Sequence, residues 1–362
     1  MTTTPKYSAS ASSHLPAHPN LEHLKNEAKR RLKTMRAESP AMRLSEAQLL
    51  VARSYGFPSW RKLKSHIDAL NDSRLQLVNA VRDGDLETMR KILDIHPELV
   101  NASADVHPAM RPDDTLNMRM IHLAIEVAKI DVLRLLVERG ADLHARNRGG
   151  RTPLHDCFEL NHDDYAKTLL DSGAVPDVCA AAAYGMHNQL ERILAADPAK
   201  ANDLTTGNSP LGWSAYGHQP ASATILFQHG AIADRPPYDA CAWGPATFVS
   251  ATDVARLLLE HGANPNWQDD AGNAPMHRVI TSRLVVDPAN FVQLLLDSGA
   301  DPSLKNHEGR TPFDEAEALH QAGKDAETYF PVRPKGPKQL EPTIGILRRR
   351  LAKLPAVNSI WL

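Results

Sequence analysis

The chain has 362 residues, of which 42% are hydrophobic and 5% aromatic, and its formal net charge is −2. This length accommodates two or three ordinary domains or one long repeat array with appendages. The first residues are polar, and no apolar run approaches the roughly 18 residues of a membrane span, so we expect neither a signal peptide nor a membrane helix. The three cysteines are widely spaced and form no CxxC pair, which predicts a reduced, cytoplasmic protein.

The charges are segregated along the chain. Residues 1–75 contain 13 basic and 6 acidic side chains, residues 76–330 contain 21 and 36, and residues 331–362 contain 7 and 1. Basic ends that flank an acidic centre are compatible with nucleic-acid binding. We favour the interpretation that both ends pack on or near the acidic centre as caps.

Residues 1–19 predict a disordered tail and residues 20–72 a separate helical leader. The tail is rich in Ser, Thr and Ala, a composition typical of disorder. In the leader, apolar residues at helical spacing predict three helices. They cover residues 21–36, 45–53 and 60–70.

A DNA-binding interpretation of the leader depends on Ala52 and Gly56, which have the spacing of a helix-turn-helix. The second helix of that motif does not fit, because Lys62 and Ser65 stand at positions that require apolar side chains. Nucleic-acid binding by the leader is therefore the less favoured alternative.

Beyond the leader, one pattern returns about every 33 residues. Its opening reads Arg-Thr-Pro-Leu-His at residues 151–155, and its close includes Gly-Ala at residues 173–174. Thr is a good N-cap, Pro suits the first helical position, and Gly supplies a left-handed C-cap. A single repeat of this kind cannot bury its own apolar face, so the repeats must stack. The pattern resembles the ankyrin repeat.

The resemblance covers residues 73–330 and implies an all-α solenoid of about eight helix-turn-helix repeats. They begin near Ser73, Asp114, Asn147, Pro176, Thr206, Pro237, Asp269 and Asn306. Extra residues lie around 106–114 and within 281–290. The leader resembles the short three-helix segment that precedes ankyrin repeats in many uncharacterised bacterial proteins. Residues 331–362 predict a Pro-rich linker and a basic amphipathic capping helix over 344–354.

In the ankyrin fold, the exposed side of the first helix of each repeat lines a concave recognition groove. Aligned on this side, the upstream repeats present acidic residues and the middle repeats aromatic ones. The predicted binding groove contains Glu126, Arg151, Asp156, Glu159, Asn208, Trp213, Tyr216 and Phe248. Clustered exposed aromatics are typical of binding surfaces. The alternative is that Trp213 and Trp243 fill space left where Gly212 and Gly244 replace the motif histidine.

One dense cluster offers another chemical interpretation. His155, Asp156 and Cys157, with His162 nearby, are residue types that bind metals or form a Cys/His pair. Each of them also fits an ordinary repeat position, with His155 as the motif histidine that binds loop backbone. We therefore predict no metal, no cofactor and no catalytic residue there, and we expect the cysteines to serve packing.

These observations predict a non-enzymatic scaffold that binds a protein or peptide partner. The acidic upstream residues favour a cationic partner, and a small molecule is a further option. The alternative function is an enzyme in the same groove, in which the carboxylates or His218 act on a ring-bearing or sugar-like substrate. No nucleotide-binding, metalloprotease or hydrolase motif in the sequence favours that alternative.

Overall fold

The computed structural model describes residue 15 and residues 21–37, 39–104, 118–234, 242–285, 287–326 and 337–353. All regular elements in these ranges are helices, apart from one isolated bridge between Ser103 and Arg119. The chain divides into an N-terminal unit, Met1–Val175, and a C-terminal unit, Pro176–Leu362. The predicted helical class is confirmed for the described residues.

The N-terminal unit contains eight α-helices in its described residues. They are α1 (Leu21–Met35), α2 (Leu44–Ser54), α3 (Trp60–Asp83), α4 (Leu86–Ile95), α5 (Met120–Glu126), α6 (Ile130–Glu138), α7 (Pro153–Glu159) and α8 (Asp163–Asp171). A 3₁₀ turn, Pro97–Asn101, follows α4. Helices α5 and α6 form one pair, α7 and α8 the next, and like helices of the two pairs lie side by side.

The leader has its own small core, which includes Leu24, Val51 and Leu63. Its third helix is longer than expected, because α3 continues through the predicted boundary at residues 72/73 and ends only at Asp83. Gly84, whose φ is +76°, caps it. Leu70 and Leu77 are both buried on this helix, and a spacing of seven residues keeps them on one face across two turns. The leader therefore runs into the first repeat without an interruption.

The helix-turn-helix resemblance of the leader extends only to its first half. Ala52 is buried, and Gly56 takes a left-handed φ of +82° in the turn before α3. Lys62 and Ser65 are exposed on α3, whereas Leu63 is buried. The start of α3 is thus an ordinary amphipathic helix with a solvated basic side.

The C-terminal unit contains ten α-helices in its described residues. They are α9 (Val178–Ala183), α10 (His187–Ala196), α11 (Pro210–Tyr216), α12 (Pro220–Gln228), α13 (Trp243–Val249), α14 (Thr252–Glu260), α15 (Pro275–Thr281), α16 (Ala289–Asp297), α17 (Pro312–Ala326) and α18 (Pro337–Leu351). A 3₁₀ turn, Pro198–Asn202, follows α10. The first helices α9, α11, α13, α15 and α17 form one row, and the second helices α10, α12, α14 and α16 form another.

The motif histidines fix the start of the first helices. Nδ1 of His155 accepts the backbone N–H of Thr152 at 3.2 Å. Nδ1 of His277 accepts that of Ala274 at 3.2 Å, while its Nε2 donates to the carbonyl of Arg310 in the next repeat at 3.1 Å. Both rings are buried, so the predicted role of these histidines as partners of loop backbone is confirmed.

The turn between the two helices of a repeat has the same backbone geometry in both units. Ala128 and Asn161 in the N-terminal unit, and His218 and Ser250 in the C-terminal unit, have φ values of +50° to +57°. Left-handed backbone costs a non-glycine residue about 1–2 kcal/mol. The fold imposes this turn whatever side chain stands there.

Asparagines in several repeats bind backbone groups of the repeat that follows. The side chain of Asn101 accepts the N–H of Asp142 at 2.7 Å and donates to the carbonyl of Gly140 at 3.3 Å. Asn202 and Asn266 make the same pair of bonds to their following repeats. These side chains satisfy backbone groups at helix ends that have no partner inside the helix.

The last helix, α18, begins earlier than predicted. It was expected to begin near Ile344, but it begins at Pro337 and includes Pro342. Pro337 suits the first helical position because no N–H is needed there, whereas Pro342 lies inside the helix and removes one backbone hydrogen bond. Leu340, Ile344 and Leu347 are buried where α18 packs on α16 and α17.

Two arginines of α18 form hydrogen bonds with the helices α16 and α17. Arg348 donates to Glu317 at 3.1 Å, and Arg350 donates to the carbonyl of Leu296 at 3.2 Å. These contacts agree with a capping role for α18. None of the helices that the structure describes combines the length and the apolar character of a membrane span.

Some predicted features lie outside the described residues. They are the N-terminal tail apart from Leu15, the insert at 106–114, most of the Pro-rich linker, Cys241 and the last residue of the predicted capping helix, Leu354.

Candidate binding surface

The predicted groove residues fall into both units. Glu126, Arg151, Asp156 and Glu159 belong to the N-terminal unit, and Asn208, Trp213, Tyr216 and Phe248 belong to the C-terminal unit. Glu126 and Glu159 end α5 and α7, while Tyr216 ends α11 and Phe248 lies one residue before the end of α13.

In the N-terminal unit, Asp156 belongs to a buried hydrogen-bond network. Its carboxylate lies 2.5 Å from Nδ1 of His122 and accepts the side-chain amide of Asn147 at 3.1 Å. Nε2 of His122 lies 3.1 Å from the carbonyl of Ala145, and this histidine is only 2% exposed. Asp156 therefore links α7 to the preceding first helix, α5.

Glu159 is also engaged, because Arg151 donates to its carboxylate at 2.7 Å. Partial burial raises the pKa of Glu159, the charge of Asp156 raises it further, and Arg151 opposes both effects. Of the three predicted acidic groove residues, Glu126 alone has no bonded partner among the described residues. This pairing weakens the case for a cationic partner and for acid–base catalysis by these carboxylates.

Both cysteines that the structure describes are buried. Cys157 and Cys179 are free thiols in the core. Burial, with a smaller contribution from the charge of Asp156, raises the pKa of Cys157 to about 12. A thiol in that state is a poor nucleophile and a poor metal ligand, which agrees with the expectation from the repeat pattern.

In the C-terminal unit, Trp213 does not lie on the exposed surface as predicted. Its side chain is 0% exposed, and its Nε1 donates to Thr206 Oγ1 at 2.8 Å. Trp243 is buried as well and donates to Asp234 at 3.1 Å. A buried indole removes a large apolar area from water while its N–H keeps a partner. Asn208 is also buried, so neither Trp213 nor Asn208 is open to a ligand.

Tyr216 and Phe248 continue outward from this core. The ring of Tyr216 lies 5.8 Å from that of Trp213 and is tilted by 57°. The ring of Phe248 lies 6.3 Å from that of Tyr216 in an edge-on arrangement, a geometry that aromatic pairs favour. Tyr216 is half-buried and Phe248 is 46% exposed, so the rings pass from the core to the surface.

Ser282, which was not among the predicted site residues, connects Phe248 to the turn after α15. Ser282 Oγ donates to the carbonyl of Phe248 at 2.7 Å and accepts the N–H of Leu284 at 3.3 Å. Leu284 is 57% exposed, and Arg283 between them is exposed as well. The extra residues within 281–290 were the available signal. We call the three side chains of Tyr216, Phe248 and Leu284 the apolar row.

The first helices of the two units differ in charge. Helices α5 and α7 carry three acidic residues and no lysine or arginine, whereas α9, α11, α13 and α15 carry no acidic residue and one arginine, Arg278. Arg278 lies 3.5 Å from Asp269. Tyr216 and Phe248 therefore lie on helices without negative charge, whereas α17, the first helix that follows α15 in the same row, carries Asp314, Glu315 and Glu317.

His218, the remaining acid–base candidate, lies in the turn after α11. It lines a cavity of about 180 Å³ together with residues at the start of α14, among them Thr252 and Asp253. A larger, open depression of about 530 Å³ lies at the start of α10 and includes His187 and Arg192. Both the cavity and the depression are lined by turns and by second helices.

Comparisons with known proteins agree with the predicted repeat. Residues 77–180 match the family described as ankyrin repeats, in three copies. The NF-kappa-B inhibitor cactus of Drosophila melanogaster is 52% identical over 54 residues, which is 15% of this chain and 11% of that protein. Ankyrin repeat and SOCS box protein 16 of Homo sapiens is 29% identical over 182 residues, 43% of this chain and 39% of that protein. The B-cell lymphoma 3 protein homolog of Mus musculus is 27% identical over 195 residues, 48% of this chain and 42% of that protein.

This chain thus spans between 11% and 42% of the length of these relatives. The count of about eight repeats, the role of the ends as caps and the likeness of the leader to bacterial proteins stay predictions. Within residues 77–180, the chain contains ankyrin repeats.

Proposed function

We propose that this chain is a scaffold that binds a protein or peptide partner on the first-helix face of its C-terminal unit. The observation that carries this proposal is Phe248, an aromatic side chain that is 46% exposed beside Tyr216. Tyr216 in turn contacts the buried Trp213. Aromatic side chains held in place lose little conformational entropy on binding and often dominate the energy of an interface.

The relatives support a binding function of this class. The name of the Drosophila protein describes it as an inhibitor of NF-kappa-B, and this chain has ankyrin repeats over residues 77–180. A repeat array presents an extended surface, which suits a macromolecular partner better than a small substrate. The free thiols of Cys157 and Cys179 support a reducing compartment as the place of action.

A site-specific cross-linking experiment tests this proposal. A photo-reactive phenylalanine analogue replaces Phe248 in the full chain, which is expressed in its native host and irradiated. The matched control carries the same analogue at Ile232, which is 52% exposed in a loop of the same unit.

We expect a discrete adduct of protein mass from position 248 that is absent from position 232. Identical adduct patterns at both positions, or no adduct at position 248, would contradict the proposal. An adduct of only a few hundred daltons would replace it with a small-molecule site.

A further inference from the structure

The apolar row of the C-terminal unit points to a particular partner chemistry, and this inference rests on the proposed function. We propose that the bound segment is an acidic, apolar peptide, in which one or two carboxylates flank an apolar side chain. This assignment differs from the cationic partner that the acidic residues upstream suggested.

The apolar part of the assignment follows from the exposure of Phe248 and Leu284. Both are large hydrophobic side chains, and roughly half of each is open to solvent. Ser282 ties the turn that carries Leu284 to the carbonyl of Phe248. Apolar side chains of a partner that cover Phe248 and Leu284 would remove apolar area from water, which is the main source of interface energy.

The charged part of the assignment follows from Arg283. It is exposed and pairs with none of the described residues, although acidic residues outnumber basic ones by 36 to 21 between residues 76 and 330. The first helices α9, α11, α13 and α15 add no negative charge, and their one arginine, Arg278, lies 3.5 Å from Asp269. A carboxylate beside the apolar row therefore meets a cation, whereas a lysine or arginine of a partner would meet like charge.

The backbone sets the distance between the two parts of the motif. Arg283 directly follows Ser282, whose hydroxyl is bonded to Phe248, and consecutive Cα atoms are about 3.8 Å apart. A carboxylate within about two residues of the apolar anchor would therefore reach Arg283. Because the rest of the array is acidic, a strongly negative partner would be repelled, so one or two carboxylates are favoured over a long acidic run.

A displayed library of random 12-residue peptides, selected against the full chain, tests this assignment. We expect the selected peptides to place Asp or Glu within two residues of a large apolar side chain. The affinity of a selected peptide should fall at least tenfold with Phe248→Ala and at least threefold with Arg283→Glu. The controls are Ile232→Ala and Arg256→Glu, exposed changes elsewhere in the same unit, and they should leave the affinity within twofold. Circular dichroism checks that each variant is folded.

The outcomes separate the two proposals. Replacing the peptide carboxylate by lysine should restore affinity to Arg283→Glu and weaken binding to the wild-type chain. Peptides that depend on Phe248 but are basic or uncharged, with no effect of Arg283→Glu, would overturn the acidic assignment and leave the scaffold proposal standing. A library without binders, or with binders indifferent to Phe248, would overturn both. A dimer of the full chain in sedimentation that Phe248→Ala dissociates would identify a second copy as the occupant and overturn the peptide assignment.

Discussion

The first helices of the two units share a backbone but not a surface. In both units the helix ends in the same left-handed turn, at Asn161 in one and at His218 in the other. Just before that turn, the N-terminal unit carries Glu159 bound to Arg151, and the C-terminal unit carries Tyr216 packed between two other aromatic rings. The repeat pattern therefore sets the architecture, and a few variable positions set what each surface can bind.

The two surfaces also differ in whether their side chains already have partners within the chain. The carboxylates of Asp156 and Glu159 have partners within the N-terminal unit, so a ligand would have to replace existing bonds. Phe248 and Leu284 leave apolar area in water, so a ligand gains by covering it. A free surface of this kind is the better site for a partner.

The largest expected effect is on the unfolding free energy, and it distinguishes the buried Trp213 from the exposed Phe248. Trp213→Ala removes a fully buried indole that is bonded to Thr206, and such truncations cost about 3–5 kcal/mol. Urea denaturation should show a correspondingly lower midpoint or loss of the folded state. Phe248→Ala is the matched control and should cost less, about 1–2 kcal/mol, because nearly half of the side chain is already exposed and the rest contacts Tyr216. Similar losses in both variants would show that Phe248 is a core residue.

The next effect concerns how closely the first helices approach each other. Gly217 directly follows Tyr216, at the position that Val127 and Leu160 occupy in the N-terminal unit. A Cβ atom on Gly217 would overlap the carbonyl oxygen of Ala183, so Gly217→Ala should destabilise the chain by about 1–3 kcal/mol.

Gly345→Ala in α18 is the control for this prediction. A Cβ atom there would meet only an Arg349 nitrogen at 3.7 Å, and Ala is favoured over Gly in a helix by about 1 kcal/mol. We expect a lower melting temperature for the first variant and an unchanged or higher one for the second. Equal melting temperatures would mean that α11 and α9 are not in close contact at Gly217.

The sequence predicted the repeats well because their signals are local. The Thr-Pro opening of α7 and the role of His155 depend on residues that are close in the chain. The end of the leader was harder, since nothing between Leu70 and Leu77 breaks the helical periodicity that α3 continues. The boundary at residues 72/73 came from the repeat alignment alone.

The candidate surface was predicted only in part, because exposure depends on neighbours in other repeats. The alignment placed Trp213 on one surface with Tyr216 and Phe248, but it could not show that Trp213 turns into the core to reach Thr206. Leu284 lies in extra residues that have no counterpart in the repeat pattern. Its position depends on the bond between Ser282 and Phe248, which links different repeats.

A smaller effect is the pH dependence contributed by His277. Burial lowers its pKa below the ordinary value of 6.5, and the Arg310 carbonyl and nearby carboxylates only partly offset this. In the unfolded chain His277 binds a proton more readily than in the folded chain. The contribution of neutral His277 to stability is therefore complete above about pH 6.5 and is lost as the pH falls below it. Urea midpoints between pH 8 and pH 5 should fall more for the wild type than for His277→Gln. Parallel curves would contradict this assignment.

The smallest expected effect is that of Glu159, and its sign is opposite. Because the pKa of Glu159 is raised above the ordinary value of 4.5, the folded chain holds a proton that the unfolded chain releases. The contribution of protonated Glu159 to stability is complete below about pH 4.5 and is lost as the pH rises through the raised pKa.

The variant Glu159→Gln removes this loss together with the partly exposed ion pair to Arg151, which is worth about 1 kcal/mol or less. At pH 7 the two forms should therefore differ by no more than about 0.5 kcal/mol. Between pH 4.5 and pH 7 the wild type should lose stability relative to the variant, and a relative gain would show that the Arg151 pair outweighs the burial of the carboxylate.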